Sequence, residues 1–339
     1  MTIGEGPLWH DSPVCDFVKP DPRRHVQRIT IHHWQLRDLL LCPENKKEVV
    51  FPYQNNVIQY NMETEKDTFL LKDLTFAPTS ITASSGYLAV GGQRSELVVR
   101  DLHGNWAITT TTGGSINNGV TIAETNGEKR LMVSNNDETI KVFSVPSMHL
   151  IDNLCLPTAV NGVTVSPDGR HMVVVGDSNE VFVFNITNSG EYVHTASLCA
   201  SKDSNFSCSW SQNSDKFAVA SQDGTVNVWD VRSTITLYTL GTKQSPNAKG
   251  ATRCVKFSTS GAVDLLAYTE HVSYVNIVDA RNFSTQQVLR VSPSHLDYHI
   301  TGMAFAPDSR SLLVGLENSV LEYPVETTAR RRFPIGSLL

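Results

Sequence analysis

A pattern of strands and turns recurs seven times along this chain, and no other feature restricts its fold as strongly. Each copy runs as an apolar stretch ending in a turn, a strand ending in small residues, a short polar turn, and an alternating strand with an aromatic or aliphatic residue near its end. The clearest copy lies between Asn205 and Val231, where FSCSWSQNSDKFAVASQDGTVNVWDV reads strand, Asn-Ser-Asp turn, strand, Asp-Gly turn, strand. Anchoring the others on Trp229 gives Tyr60, Arg100, Phe143, Phe184, Trp229, Val278 and Tyr323, spaced by 40, 43, 41, 45, 49 and 45 residues. Such gaps match the ~40–45 residues of one four-stranded blade. Ser166-Pro167-Asp168-Gly169, Ser258-Thr259-Ser260-Gly261 and Ala306-Pro307-Asp308-Ser309 share one position of the repeat, and Pro, Asp and Gly supply the fixed or positive φ of tight turns. In Thr225-Val226-Asn227-Val228-Trp229 the side chains alternate, with Val226 and Val228 on one face and Thr225, Asn227 and Trp229 on the other, which reads as a half-buried strand. The fold class expected is all-β, a seven-bladed β-propeller.

The boundaries expected are an N-terminal arm at 1–25, a propeller at 26–325 and a C-terminal tail at 326–339. Four prolines fall in the first 25 residues, Pro20 and Pro22 among them, which suits an irregular cover. The last copy reads as owning all four strands, ending Ser319-Val320-Leu321-Glu322-Tyr323, so closure of the ring is expected to rest on packing of the Val26 to Trp34 segment.

With 339 residues and 40% hydrophobic side chains the chain can bury a large core. Its net charge of −6 argues against a nucleic-acid footprint, since phosphate binding needs Lys and Arg in excess on one face. The opening MTIGEGPLWHDSPVCDFVKPDP lacks a basic start and an apolar run, and no later segment approaches the roughly 18 apolar residues of a membrane span. A cytoplasmic or nuclear location without membrane attachment is therefore expected. Cys15, Cys42, Cys155, Cys199, Cys208 and Cys254 contain no CxxC pair, so they read as reduced, mostly buried thiols rather than zinc ligands or a disulfide framework.

Trp229-Asp230 is a literal Trp-Asp pair at the end of the repeat, with Tyr60-Asn61, Arg100-Asp101, Phe143-Ser144, Phe184-Asn185, Val278-Asp279 and Tyr323-Pro324 as degenerate versions. On these residues the chain resembles the WD-repeat family over about residues 26 to 325. The family's Gly-His pair is absent from every copy, so its Asp-His-Ser-Trp network is expected to be incomplete. Members of this family are mostly binding platforms, and the resemblance implies a non-enzymatic scaffold, expected as a single propeller within a larger complex and without a cofactor.

Catalytic alternatives find little support. No G-x-S-x-G elbow, Walker loop or G-x-G-x-x-G occurs. Ser221-Gln222-Asp223-Gly224 reads as a hairpin turn rather than a sialidase-type Asp box. The competing enzyme reading is a small-molecule propeller such as a metal-dependent lactonase, with Asn118, Asn161 and Glu270 at the central channel, but carboxylates are too few there. His32-His33 is the one adjacent histidine pair, and neighbouring strand residues point to opposite faces, so the two do not readily share a metal. No metal is expected. The Phe-Arg-Arg-Gly motif of lipid-binding propellers is absent, and Arg330-Arg331-Arg332 reads as a solvated tail.

The family resemblance implies partner docking on the narrower top face, through side chains at the entry of the second strand of each blade. Taking the position six before Pro167 in every copy selects Arg37, Thr79, Asn118, Asn161, Phe206, Arg253 and Thr301, with Gln35, Ser204 and His299 widening the same surface. Two Arg, two Asn and a Phe suit a peptide, with an acidic group or a free terminus, better than DNA. On the opposite side, Trp229-Asp230-Val231-Arg232 fits the W-D-x-R box of substrate receptors for cullin-4 ubiquitin ligases, and Val278-Asp279-Ala280-Arg281 is a partial copy. An ordinary ion pair of Asp with Arg explains the same residues. Finally, the stretch His299 to Arg310, Gly315 to Asn318, and Arg330-Arg331-Arg332-Phe333 resembles the final repeat and tail of a mostly fungal WD-repeat family of unassigned function. That family is similar to a substrate receptor of the GID ubiquitin ligase, which implies a role in substrate recognition.

Overall fold

Strands rich in Val, Ile, Thr and aromatic residues, separated by Gly-, Asp- and Ser-bearing turns, fold each copy of the repeat into one antiparallel sheet. The computed structural model describes residues 16–242, 250–260 and 263–327. Seven sheets result. Blade I spans 48–71, blade II 78–111, blade III 117–155, blade IV 160–199, blade V 205–241, blade VI 252–290, and blade VII 300–324 together with Arg23–His25. Within a blade the strands are called a to d from the inside outward. Blade V shows the order: Asn205–Trp210, Lys216–Ser221, Thr225–Asp230 and Thr236–Gly241. Tyr60, Arg100, Phe143, Phe184, Trp229, Val278 and Tyr323 all fall on strand c, so the register read from their spacing is the register of the fold.

The expectation of a half-buried strand needs correcting. Val226 and Val228 pack with Val255, Leu266, Tyr268 and Val278 of blade VI, whereas Trp229, on the other face, packs with Val173, Val181 and Val183 of blade IV. Both faces are buried because each sheet lies between two others. Trp229 stacks on Phe217 at 5.2 Å between ring centroids and is fully enclosed; truncating such a residue costs about 3–5 kcal/mol. The same arrangement recurs as seven apolar clusters, each shared by two adjacent blades.

Closure also differs from the expectation. Blade VII owns three strands, Ile300–Phe305, Ser311–Leu316 and Ser319–Pro324, and its outermost strand is Arg23–His25, with Arg24 opposite Leu321. The segment read as an arm thus supplies the closing strand. Of the Val26 to Trp34 segment, Val26 is 82% exposed, but Ile29 is buried between blades VII and I, and the Ile29 and Thr30 N–H groups donate to the Glu317 and Pro52 carbonyls at 3.3 and 3.0 Å, so this segment adds to closure. Upstream of that strand, Gln287 of blade VI accepts from the Phe17 and Val18 N–H groups at 2.7 and 2.9 Å and donates to the Val18 carbonyl at 2.9 Å. A buried side-chain amide here does the work of a strand ladder. Residues 1–15 of the expected arm and 328–339 of the tail, with Arg330-Arg331-Arg332, lie outside the described residues.

Blade I has three strands, and the Leu41–Val50 bridge stands in for its strand a. The Leu39 N–H donates instead to the Thr301 carbonyl of blade VII at 3.0 Å, so this segment is shared between the two blades. Gly302 permits the approach, because a Cβ there would meet the Leu39 and Leu40 nitrogens at 2.8 and 2.7 Å.

Replacing Gln287 with Ala removes its bond to the Phe17 N–H and deprives the Val18 N–H and carbonyl of this partner, and should cost ~2–4 kcal/mol of unfolding free energy in urea titrations. A loss below about 1 kcal/mol would show that ring closure does not depend on this clamp.

Candidate functional site

Strand a begins with a β-bulge in blades II to VII, and the extra residue is Thr79, Asn118, Asn161, Phe206, Arg253 and Thr301 in turn. A bulge bends its strand and re-aims one side chain. These residues are the ring selected from the sequence, and all except Thr301 line one central cavity, together with Gln35 and Arg37. The ring lies at the end of the propeller where strands b and c are joined and where each blade passes to the next.

The structure does not present the whole ring to solvent. Arg37, Thr79, Asn118, Asn161, Phe206, Arg253 and Thr301 are all buried. Three of them tie their blade to the next: Thr79 Oγ1 donates to the Asn117 carbonyl at 3.0 Å, Asn118 Nδ2 to the Val160 carbonyl at 3.0 Å, and Asn161 Nδ2 to the Asn205 carbonyl at 3.0 Å. These bonds satisfy carbonyls on the inner edges of blades III to V, and Ser80 Oγ adds a second donor to the Asn117 carbonyl at 3.0 Å. Thr79, Asn118 and Asn161 therefore form a structural belt, which corrects their reading as contact residues.

The belt stops at Phe206, which has no donor. Its ring is instead covered by the Arg253 guanidinium, 4.2 Å from the centroid, and on the far side Trp34 stands 5.8 Å from the same guanidinium. Trp34 is 63% exposed. Arg37 donates to the His33 and Leu36 carbonyls, but its Nε, and the Nε and Nη1 of Arg253, have no partner among the described residues. Burial, and for Arg253 the charge of Arg37, bring both guanidinium pKa values down to about 10, so both remain cationic at neutral pH. The Thr301 hydroxyl also has no partner among the described residues. His271, at the turn between strands b and c of blade VI, lies with its ring centroid 4.9 Å from that of His299, and burial followed by Arg253, Arg37 and His299 pushes its pKa down to about 4. Arg37, Phe206 and Arg253 line a cavity of about 80 Å3 with Gln35, Thr79, Asn118 and Asn161.

Sequence reasoning found Arg37, Phe206, Arg253 and His299 of this cluster and missed Trp34, His33 and His271. The exposed Trp in Trp34-Gln35-Leu36-Arg37 was its available signal. Gln35, Ser204 and His299 are half-buried at the rim. Glu270, considered as a channel carboxylate, lies at the end of strand b, where Asn276 Nδ2 donates to it at 3.3 Å, and does not line the cavity. Ser221-Gln222-Asp223-Gly224 is a hairpin turn, with Gly224 at φ +87°. Burial pushes the Cys42 and Cys208 thiols up to about 12, while Cys155 and Cys199 are exposed on outer strands, so the cysteines are less uniformly buried than expected.

On the opposite end, Arg232 grips Asp230 through Nε and Nη2 at 2.8 and 2.6 Å, and Arg281 grips Asp279 at 2.9 and 2.5 Å. The Arg232 side chain is 80% exposed, and its hydrogen bonds hold the Asp230 carboxyl down to about 2. The two boxes share one geometry and face away from the ring.

Comparison with known proteins places this geometry. A family described as WD domain, G-beta repeat matches residues 192–230, which cover most of blade V. An uncharacterised protein domain (DUF2415) matches residues 250–290, which is blade VI rather than the C-terminal stretch at 299–333. An uncharacterized protein of Schizosaccharomyces pombe, C4G3.03, is 33% identical over 94% of this chain and 95% of its own length. Uncharacterized protein YLR149C of Saccharomyces cerevisiae is 29% identical over 68% of the chain and 38% of its own length. WD repeat-containing protein 1 of Xenopus tropicalis is 30% identical over 40% of the chain and 21% of its own length.

The neutral state of His271 has a measurable consequence. Its pKa is about 4 in the fold against 6.5 ordinarily, so as pH falls from 6.5 to 4 the unfolded chain takes up a proton first and stability declines. Above pH 6.5 this contribution is constant. In urea titrations at stepped pH, His271→Asn should gain on the wild type as pH drops from 7.5 to 4.5, and a difference that stays flat would refute the assignment.

Proposed function

The chain belongs to the WD-repeat β-propeller family, with the Schizosaccharomyces pombe protein as a relative over nearly its whole length, and from that premise we propose that it is a ubiquitin-ligase substrate receptor. As a WD-repeat propeller it is a protein-interaction scaffold. The proposed receptor captures a peptide of its client at the Trp34–Arg253–Phe206 mouth and meets ligase subunits through Asp230–Arg232 and Asp279–Arg281 on the other face. It would act as a single propeller within a larger complex of the cytoplasm or nucleus, without catalysis of its own.

The observation that supports this reading is the separation of two chemically distinct surfaces. One end carries an aromatic and arginine cluster, the composition of binding hot spots, on bulges fixed by neighbouring blades. The other end carries the paired Asp–Arg boxes. Loops fixed on a rigid ring lose little freedom on binding, and two faces allow two partners at once.

Affinity capture from cells with quantitative mass spectrometry tests the proposal. Trp34→Ala should reduce client recovery by about tenfold or more while retaining ligase subunits, since exposed aromatic anchors dominate such contacts. Arg232→Glu should do the reverse. Phe206 is left intact because it is buried and its truncation would disturb the ring. Absence of ligase subunits from every sample would remove the receptor role, and unchanged recovery in both folded variants would remove the surface assignment.

A further inference from the structure

Among the described residues three arginines of this propeller are buried, Arg37, Arg130 and Arg253. Arg130 meets Glu128 at 3.1 Å, as the more exposed Arg232, Arg281 and Arg290 meet Asp230, Asp279 and Asp297 at 2.5–3.1 Å. Arg37 and Arg253 differ from Arg130: both are only 4% exposed, and among the described residues neither has an acidic partner within ion-pair distance. Asp203 and Glu317 are near enough to be felt electrostatically but form no ion pair with them. A buried charge without a partner is destabilising, and a buried guanidinium without hydrogen bonds more so.

The unpaired donors point to what is missing. Among the described residues Arg37 Nε and Arg253 Nε and Nη1 have no acceptor, both residues line the cavity, and the Thr301 hydroxyl on the neighbouring bulge has no partner there either. The aromatic faces of Phe206 and Trp34 bracket Arg253 and hold its fork without consuming its N–H groups. A cavity of about 80 Å3 accommodates a small head group with a few waters. Guanidinium donors match the planar or tetrahedral oxygens of an oxyanion, and two positive charges repel an ammonium.

We propose that Arg37 and Arg253 form a seat for an oxyanion, a carboxylate or phosphate group carried by the peptide that docks at this mouth. The seat rests on the peptide-binding reading above and narrows it: the anchoring residue of the peptide is acidic or phosphorylated, and a free amino terminus is disfavoured there. Trp34, at the rim, covers the part of the peptide next to the anionic group.

The test uses the full chain and inorganic phosphate as probe. At constant ionic strength, replacing chloride by phosphate should raise the thermal midpoint of the wild type in a saturable way. Arg37→Met and Arg253→Met should show no such rise, and Arg253→Met should melt at or above the wild type in chloride, because an uncompensated buried charge has been removed. Equal responses in wild type and variants, or no response in the wild type, would overturn the seat.

A second arm screens matched synthetic peptides carrying Glu, phosphoserine or Gln at one position. The wild type should prefer a charged form at least about tenfold over its Gln counterpart, and Arg253→Met should erase the preference; the preferred form tells carboxylate from phosphate. Peptide capture with no preference would dismiss the seat and leave docking intact. A phosphate response with no peptide captured would dismiss instead the peptide-borne ligand.

Discussion

Burial of every sheet between two others is the constraint from which the rest of this molecule follows. No blade has a core of its own; each apolar cluster draws its members from neighbours, as Val226 and Val228 do toward blade VI and Trp229 toward blade IV. A ring of such contacts is stable only if it closes, because an open end would expose one apolar sheet face. The closing parts are correspondingly strong: Arg23–His25 extends the last blade, Gln287 grips the Phe17–Val18 backbone, and the Leu39–Leu41 segment bridges blades VII and I.

Closure in turn sets the problem that the inner edge must solve. Six β-bulges place one side chain each at the same level of the channel, and whichever side chain can donate to the next blade's carbonyl becomes part of the scaffold. Thr79, Asn118 and Asn161 do so. Phe206 lacks a side-chain donor, and the Arg253 guanidinium lies against the Phe206 and Trp34 rings, so the belt gives way to a cluster of cation and aromatics. The candidate site is thus the arc of the ring where the structural pattern lapses.

This division explains what could be read in advance. The blade count, the strand c register and the bulge positions follow from spacing, since a repeated unit must place equivalent residues equivalently. Period-two alternation in Thr225–Trp229 identifies the strand but not its burial, because it does not register a second sheet on the far face. The closing strand was illegible for a related reason: Arg23-Arg24-His25 has no apolar alternation, and it is held by backbone pairing with Val320, Leu321 and Glu322 at the far end of the sequence and by His25 against Tyr60. The ring residues were correctly grouped, yet separating belt from site required knowing which carbonyl each side chain meets.

The two kinds of arginine on this propeller show how one residue type serves different ends. Arg232 and Arg281 are bound bidentately to Asp230 and Asp279 at an exposed surface. A partner that recruits either arginine must first displace this local bond to its aspartate. Arg37 and Arg253 carry their charge where water is scarce and their donors unmet, so a ligand finds the desolvation already done and no internal bond to break. Discrimination at such a site is sharp, because a wrong ligand leaves the same donors unsatisfied that a right one completes. On the proposed reading, this asymmetry puts selectivity at the channel mouth and attachment on the opposite face.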